Sequence, residues 1–280
     1  MSCGDSSRRP DPPHRWNPFI RLAIALSLVP GGALCGGCGS SVRSPLVIFL
    51  DGAGHYTAGG SVQSGLRAAG YKGAFETYLW SSFLLWGADH FVAARSERKA
   101  HALADHITRA RRAHPKGKIH VMGLSAGTAL VVSALERLPE EIEVDTVVLF
   151  ASSVSAERNL SPALRHVRGR LYATCSRGDV ILAALPVNAD GGSGPPAGRT
   201  GFRVPHGLTP AQRAAYAKVV NIPWSPGYVA YGWNGGHVPS TSSDFVRCVI
   251  APRVLSSEPF PLDRPLGSEV AEPQTGREEG

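Results

Sequence analysis

The chain has 280 residues, 43% of them hydrophobic and 18% charged, enough for one sizeable core and too little for a second full domain beside it. Its 32 glycines and 22 prolines gather near the ends and in one internal stretch, marking loops and tails and excluding a chain disordered throughout. The formal net charge of +7 is scattered, with no interleaved basic and aromatic pattern, so it reads as a solvated basic surface and argues against a nucleic-acid partner.

The first forty residues read as an export leader. Arg8, Arg9, Arg15 and Arg21 give a basic start, Leu22 to Val29 is an apolar run, and Pro30, Gly31 and Gly32 follow. The run falls short of the roughly 20 residues that span a bilayer, which makes it an h-region and not a transmembrane helix. The stretch Gly31 to Ser41 resembles the lipobox of bacterial lipoproteins. Cys38 follows Gly36 and Gly37 and is the lipidation candidate, which implies membrane anchoring; the pattern departs at Cys35, which stands where Leu is usual. A plain cleavable signal and a flexible leader are the alternatives. The expected boundaries are a leader over 1–38, a folded domain over 44–255 and a disordered tail over 256–280.

Within the domain, Pro45-Leu-Val-Ile-Phe-Leu50 predicts a buried strand ending in the turn Asp51-Gly-Ala-Gly-His55. A short helix is expected over Gly60–Gly70 and a strand over Gly73–Trp80. The aromatic stretch Ser81–Phe91 is irregular, suited to a pocket wall or to the core. Ala100, Leu103, Ile107 and Ala110 recur on one face of a helix over Val92–Ala113. A strand at Lys118–Met122, a helix at Ala126–Leu138 and a strand at Val144–Phe150 follow. A brief helix is expected over Leu160–Val167, a strand over Leu171–Cys175, and a loop over Pro186–Pro205. Thr209 and Pro210 open a helix running to Val220. Tyr228–Trp233 reads as the last strand, and Phe245–Ile250 as the start of a closing helix. Strands alternating with helices predict a mostly parallel sheet flanked by helices on both faces.

The chemistry centres on Gly123-Leu-Ser-Ala-Gly127, a G-x-S-x-G pattern between a predicted strand and a predicted helix. A tight turn there lifts the Ser125 hydroxyl above the sheet edge and frees the Ala126 N–H for an oxyanion. A serine hydroxyl needs a base. His237, in the loop Gly235-Gly-His-Val-Pro239, is the candidate, with His206 as its rival; His101, His106, His114 and His120 fall in or beside predicted elements, where structural roles prevail. Asp179 follows the strand ending at Cys175 and is the candidate acid, ahead of Asp190 in the Gly-rich loop and Asp244 near the closing helix. Gly52 and Ala53 supply the second oxyanion donor, in a turn that Asp51 and His55 flank. In the folded part only Cys175 and Cys248 are present, as a disulfide or as two thiols, and no Cys/His spacing there suits zinc.

The order Ser125, Asp179, His237 is the chain order of the α/β-hydrolase superfamily. Leu50–Gly54 resembles its oxyanion loop and Gly123–Gly127 its nucleophile elbow, and the likeness runs from about Ser44 to Leu255. It implies a three-layer α/β-hydrolase-like sandwich of eight or slightly fewer strands. It also implies ester or thioester hydrolysis through an acyl-serine, with a small-molecule or lipid ester as substrate and no metal or organic cofactor. Two departures stand out: the segment before Asp179 leaves little room for a lid, and a longer insertion lies between Leu185 and Pro223. An acyltransferase and a non-catalytic binding protein of the same fold are the alternatives. Nothing in the sequence sets an oligomeric state.

Overall fold

The computed structural model describes residues 44–54, 57–80, 97–256 and 258–266. The leader with Cys38, the aromatic stretch 81–91 and His55 lie outside the described residues. No helix among the described residues is long and apolar enough to cross a membrane.

The centre of the sheet follows directly from three apolar runs. Strands β1 (Leu46–Leu50), β3 (Ile119–Leu124) and β4 (Val144–Phe150) are buried almost throughout, as parallel strands covered on both faces must be. With β2 (Ala74–Thr77), β5 (Val167–Cys175) and β6 (Val219–Pro223) they form one six-stranded sheet in the order β2-β1-β3-β4-β5-β6. Every neighbouring pair is parallel.

Successive side chains of β1 enter two different cores, the period-2 alternation of a strand. Val47 and Phe49 join one, with Val62 and Leu66 of α1 (Ala58–Ala68) and Phe245, Val246 and Ile250 of the closing helix. Leu46, Ile48 and Leu50 join the other, with Leu103 and Ile107 of α2 (Glu97–Ala113) and Leu130 and Val131 of α3 (Ala126–Leu135). The closing helix runs from Ser243–Phe245 through a π turn at Val246–Ile250 into Ala251–Leu255. This is the three-layer α/β-hydrolase-like sandwich that the sequence implied, with six strands among the described residues. Arg111 ties its lower edge together: it pairs with Asp145 at 2.7 Å and donates to the carbonyls of Gly117 and Glu143 at 2.7 and 3.0 Å.

Several boundaries move. Strand β5 begins at Val167, so the helix expected over Leu160–Val167 shrinks to α4 (Ser161–Leu164); Arg168 and Arg170 hid the start of a strand whose apolar core begins only at Leu171. The helix expected to reach Val220 ends far sooner. It is α7 (Pro210–Ala215), with a full capping box from Thr209 and Gln212, then a 3-10 turn at Tyr216–Lys218 and strand β6. The β-branched Val219, Val220 and Ile222 fit a pleated edge better than a helix. Tyr228–Trp233 is not a strand. Pro226–Tyr231 is a 3-10 helix closed by Gly232 at φ 84°, and the aromatic alternation comes from Tyr228 stacking on Trp233 at 5.7 Å. The loop expected over Pro186–Pro205 contains α6 (Ala197–Thr200) and pairs Pro196 with Ser155. Beyond Ser256, where a disordered tail was expected, Pro265 bridges to Val220 and Asp263 pairs with Arg253 at 2.8 Å, so the chain stays docked as far as 266.

His120, on β3, is 1% exposed, and burial pulls its pKa down to about 4. It therefore folds as the neutral ring. An unfolded chain would protonate it near pH 6.5, so its burial costs nothing above that pH and costs more as pH falls towards 4. We expect unfolding free energy, measured by urea titration, to fall by up to about 3 kcal/mol across that window through this group alone. His120→Leu should flatten that part of the profile.

Candidate active site

Ser125 sits between β3 and α3 with φ 52° and ψ −124°. Such a positive φ is uncommon for a residue with a side chain and has to be held by its surroundings. Its N–H donates to the Phe150 carbonyl at 3.0 Å, and its carbonyl accepts from the Thr128 N–H at 3.0 Å and from Thr128 Oγ1. Thr128 Oγ1 is in turn 2.9 Å from Ser152 Oγ. The two glycines of the pattern allow the turn to close. A methyl group on Gly127 would lie 2.6 Å from the Asp51 carbonyl oxygen, and one on Gly123 would lie 3.1 Å from the backbone of Gly127. The Ala126 N–H, first in α3, has no acceptor within its own helix, which leaves it available beside the hydroxyl.

The turn after β1 lies against this elbow. A methyl on Gly52 would come within 3.3 Å of Ser125 Cβ, so the Gly52–Ala53 turn lies directly against the Ser125 turn. Asp51, 3% exposed, holds the turn. Its carboxylate accepts from the N–H groups of Ala58 and Gly59 at the start of α1, at 3.2 and 3.4 Å. Its carbonyl accepts from Trp80 Nε1 at 2.8 Å.

Asp179 and His237 are joined directly. The His237 Nδ1–H donates to Asp179 Oδ2 at 2.7 Å, with the aspartate 1% and the histidine 8% exposed. The other carboxylate oxygen accepts the Leu182 N–H at 2.9 Å, capping α5 (Val180–Ala184). One acid thus fixes a helix and a histidine together. The histidine loop is pinned from behind: Trp233 Nε1 donates to the Gly236 carbonyl at 3.0 Å, Trp224 Nε1 to the Trp233 carbonyl at 2.9 Å, and Ser240 Oγ to the His237 carbonyl at 2.7 Å. All six strands run parallel, so the turns bearing Gly52, Ser125 and Asp179 leave the sheet at one edge. Among the described residues no hydrogen bond joins the Ser125 hydroxyl to the His237 ring, a contact that nucleophile and base commonly tighten only with substrate in place.

The rivals have other work. Asp190 accepts from the N–H groups of Ser155 and Gly192 and pairs with Arg158 at 3.3 Å. Asp244 pairs with Arg247 on the surface. His206 is exposed in a turn. Cys175 and Cys248 are free thiols. Thr128, Ser152, Trp233 and Ser240 brace the site without having been singled out in the sequence; only Trp233, four residues before His237, carried a local hint.

Neither a family model nor a curated protein matches the chain. Among solved structures it is similar to a Trichoderma reesei cutinase bound to a phosphonate inhibitor, at 18% identity over 54% of this chain and 66% of that one, with a TM-score of 0.40. It is also similar to an acetylxylan esterase, at 13% identity over 76% of this chain and 99% of the other, with a TM-score of 0.45. A third is the poly(3-hydroxybutyrate) depolymerase LpqC from Bordetella parapertussis, at 15% identity over 77% and 80% of the two chains, again with a TM-score of 0.45. At such scores the chemistry of the site has to be read from its own atoms.

The elbow makes a sharp contrast between two glycines. Gly127→Ala forces a methyl onto backbone and should lower stability by about 1–3 kcal/mol. Gly60→Ala, in α1 with nothing within 4 Å of the added methyl, should raise it by up to about 1 kcal/mol. Urea unfolding of the two variants beside the parent chain measures both.

Proposed function

We propose that this chain is a serine hydrolase that cleaves an ester or thioester through an acyl-serine intermediate, a carboxylic ester being its default substrate. The observation that carries the reading is the buried 2.7 Å bond between His237 Nδ1 and Asp179, on the sheet edge from which the strained Ser125 turn emerges. Asp179 fixes the tautomer of His237, so that Nε2 is the basic nitrogen. Ser125 Oγ attacks the carbonyl carbon as its proton passes to Nε2. The tetrahedral oxyanion is held by the N–H of Ala126 and by an N–H of the Gly52–Ala53 turn. Collapse expels the alcohol or thiol, which takes the proton back from His237. Water then repeats the sequence on the acyl-serine and releases the acid.

Each step is supplied by a side chain or a backbone group of the chain itself. The leader and its lipobox-like end support an exported protein, held at the cell envelope through Cys38. The reading extends to a small-molecule or lipid ester as the partner in the site.

Folded wild-type protein should label with a fluorophosphonate probe and Ser125→Ala should not; labelling that survives the substitution would sink the mechanism. Asp179→Asn should lower kcat on a p-nitrophenyl ester by roughly 10³–10⁴-fold with a much smaller change in KM. For the anchor, wild-type protein should sediment with membranes and Cys38→Ser should be released; a freely soluble wild type would end that part of the proposal.

A further inference from the structure

A cavity of about 470 Å³ opens beside the turn after β5, within the size range of small-molecule clefts. The end of β5 and the turn beyond it give it Cys175, Ser176 and Arg177; α6 gives Arg199, and the chain after β6 gives Trp224 and Asn234. Two arginines and no carboxylate are among the described residues that line it. The nearest acid in sequence, Asp179, is already committed to His237 and to the Leu182 N–H.

Arg199 is held in place by a bond from Nη2 to the Arg177 carbonyl at 3.0 Å. Its Nε is buried and has no hydrogen-bond partner among the described residues. Arg177 and Arg199 bring two positive charges to the lining of one cavity, which favours an anion there. Asn234 adds a donor, because its Oδ1 accepts the Gly236 N–H at 3.0 Å and its amide NH₂ is left over. The remaining wall is neutral: Trp224 contributes a ring, and burial pushes the Cys175 thiol up to about 11, so it adds no negative charge at neutral pH.

We propose that this cavity is an oxyanion-binding site that takes a carboxylate or phosphate group between Arg177 and Arg199, beside the Asp179–His237 pair. The planar guanidinium fork suits both groups, whose paired oxygens accept parallel N–H bonds. An anion held there would brace the turn after β5, which carries Arg177, against α6, which carries Arg199. The group can belong to a free small anion or to a charged tail on the ester substrate.

Full-length protein is melted in inorganic phosphate and in sodium chloride of equal ionic strength. Phosphate should raise Tm by roughly 3–6 °C over chloride. The gain should vanish in Arg199→Gln and shrink by at least half in Arg177→Gln. No gain in the wild type, or an equal gain in both variants, overturns the site. Should Arg199→Gln fail to fold, the exposed Arg177 position decides alone. A kinetic arm, which rests on the ester-hydrolase reading as the melting arm does not, separates the two sources. If the anion is part of the substrate, the ratio of kcat/KM for a p-nitrophenyl ester with a terminal carboxylate to that for p-nitrophenyl acetate should fall about tenfold in Arg177→Gln. If it is a free anion, that ratio stays constant while phosphate shifts Tm.

Discussion

Backbone touches backbone where α3 leaves β3, and the site is organised around that contact. Gly127 rests on the carbonyls of Leu50 and Asp51, and Gly123 rests on Gly127. With no side chain at either position, the helix can start one residue after the strand and sit over the end of β1. Ser125 is then forced to a positive φ. The same contact brings Gly52 against Ser125. A single steric constraint therefore sets Ser125, the first N–H of α3 and the Gly52–Ala53 turn in register.

Strain of this kind persists only where the neighbours over-determine it. Thr128 and Phe150 hold the two ends of the Ser125 peptide, and Ser152 holds Thr128. The next strand end repeats the pattern: Ala151, after β4, has φ 42° and donates to Thr174 Oγ1 at 2.9 Å. Two residues with side chains in the left-handed region on adjacent strand ends concentrate strain along one edge of an otherwise regular sheet. The histidine side is built differently. There a 3-10 helix, a Trp233–Tyr228 stack and a chain of indole N–H bonds support a loop, so His237 owes its place to aromatic packing rather than to a strand.

The central strands and the elbow were legible because their signals are local. Continuous branched runs such as Leu46–Leu50 and Val144–Phe150 have few alternatives to a buried parallel strand, and G-x-S-x-G gains meaning from its immediate flanks. Asp179 and His237 were legible from chain order and turn composition, although what joins them spans 58 residues. The failures are equally physical. Val219–Pro223 was absorbed into a helix because the strand follows α7 and its 3-10 turn with no Gly or Pro between them. The Tyr228–Trp233 stack mimics strand alternation, and only its partners distinguish the two. Thr128, Ser152 and Ser240 are short polar residues whose roles come from contacts, and such contacts have no sequence period. The docking of 258–266 rests on Asp263 meeting Arg253 and Phe260 meeting the same guanidinium at 4.1 Å, a specific fit inside a stretch whose composition is that of a tail.

The parallel sheet has a mechanical side. The described chain enters at Ser44 and passes at once into β1, which is flanked on both sides, by β2 and by β3. Interstrand hydrogen bonds run across the strands, so a pull through Ser44 loads two ladders in shear and shares the force among their bonds. A pull on a sheet corner would open them one at a time. The turns with Gly52, Ser125 and Asp179 lie at the opposite ends of the strands. Tension applied at the entry of the domain would be borne by β1 and its neighbours before it reached them.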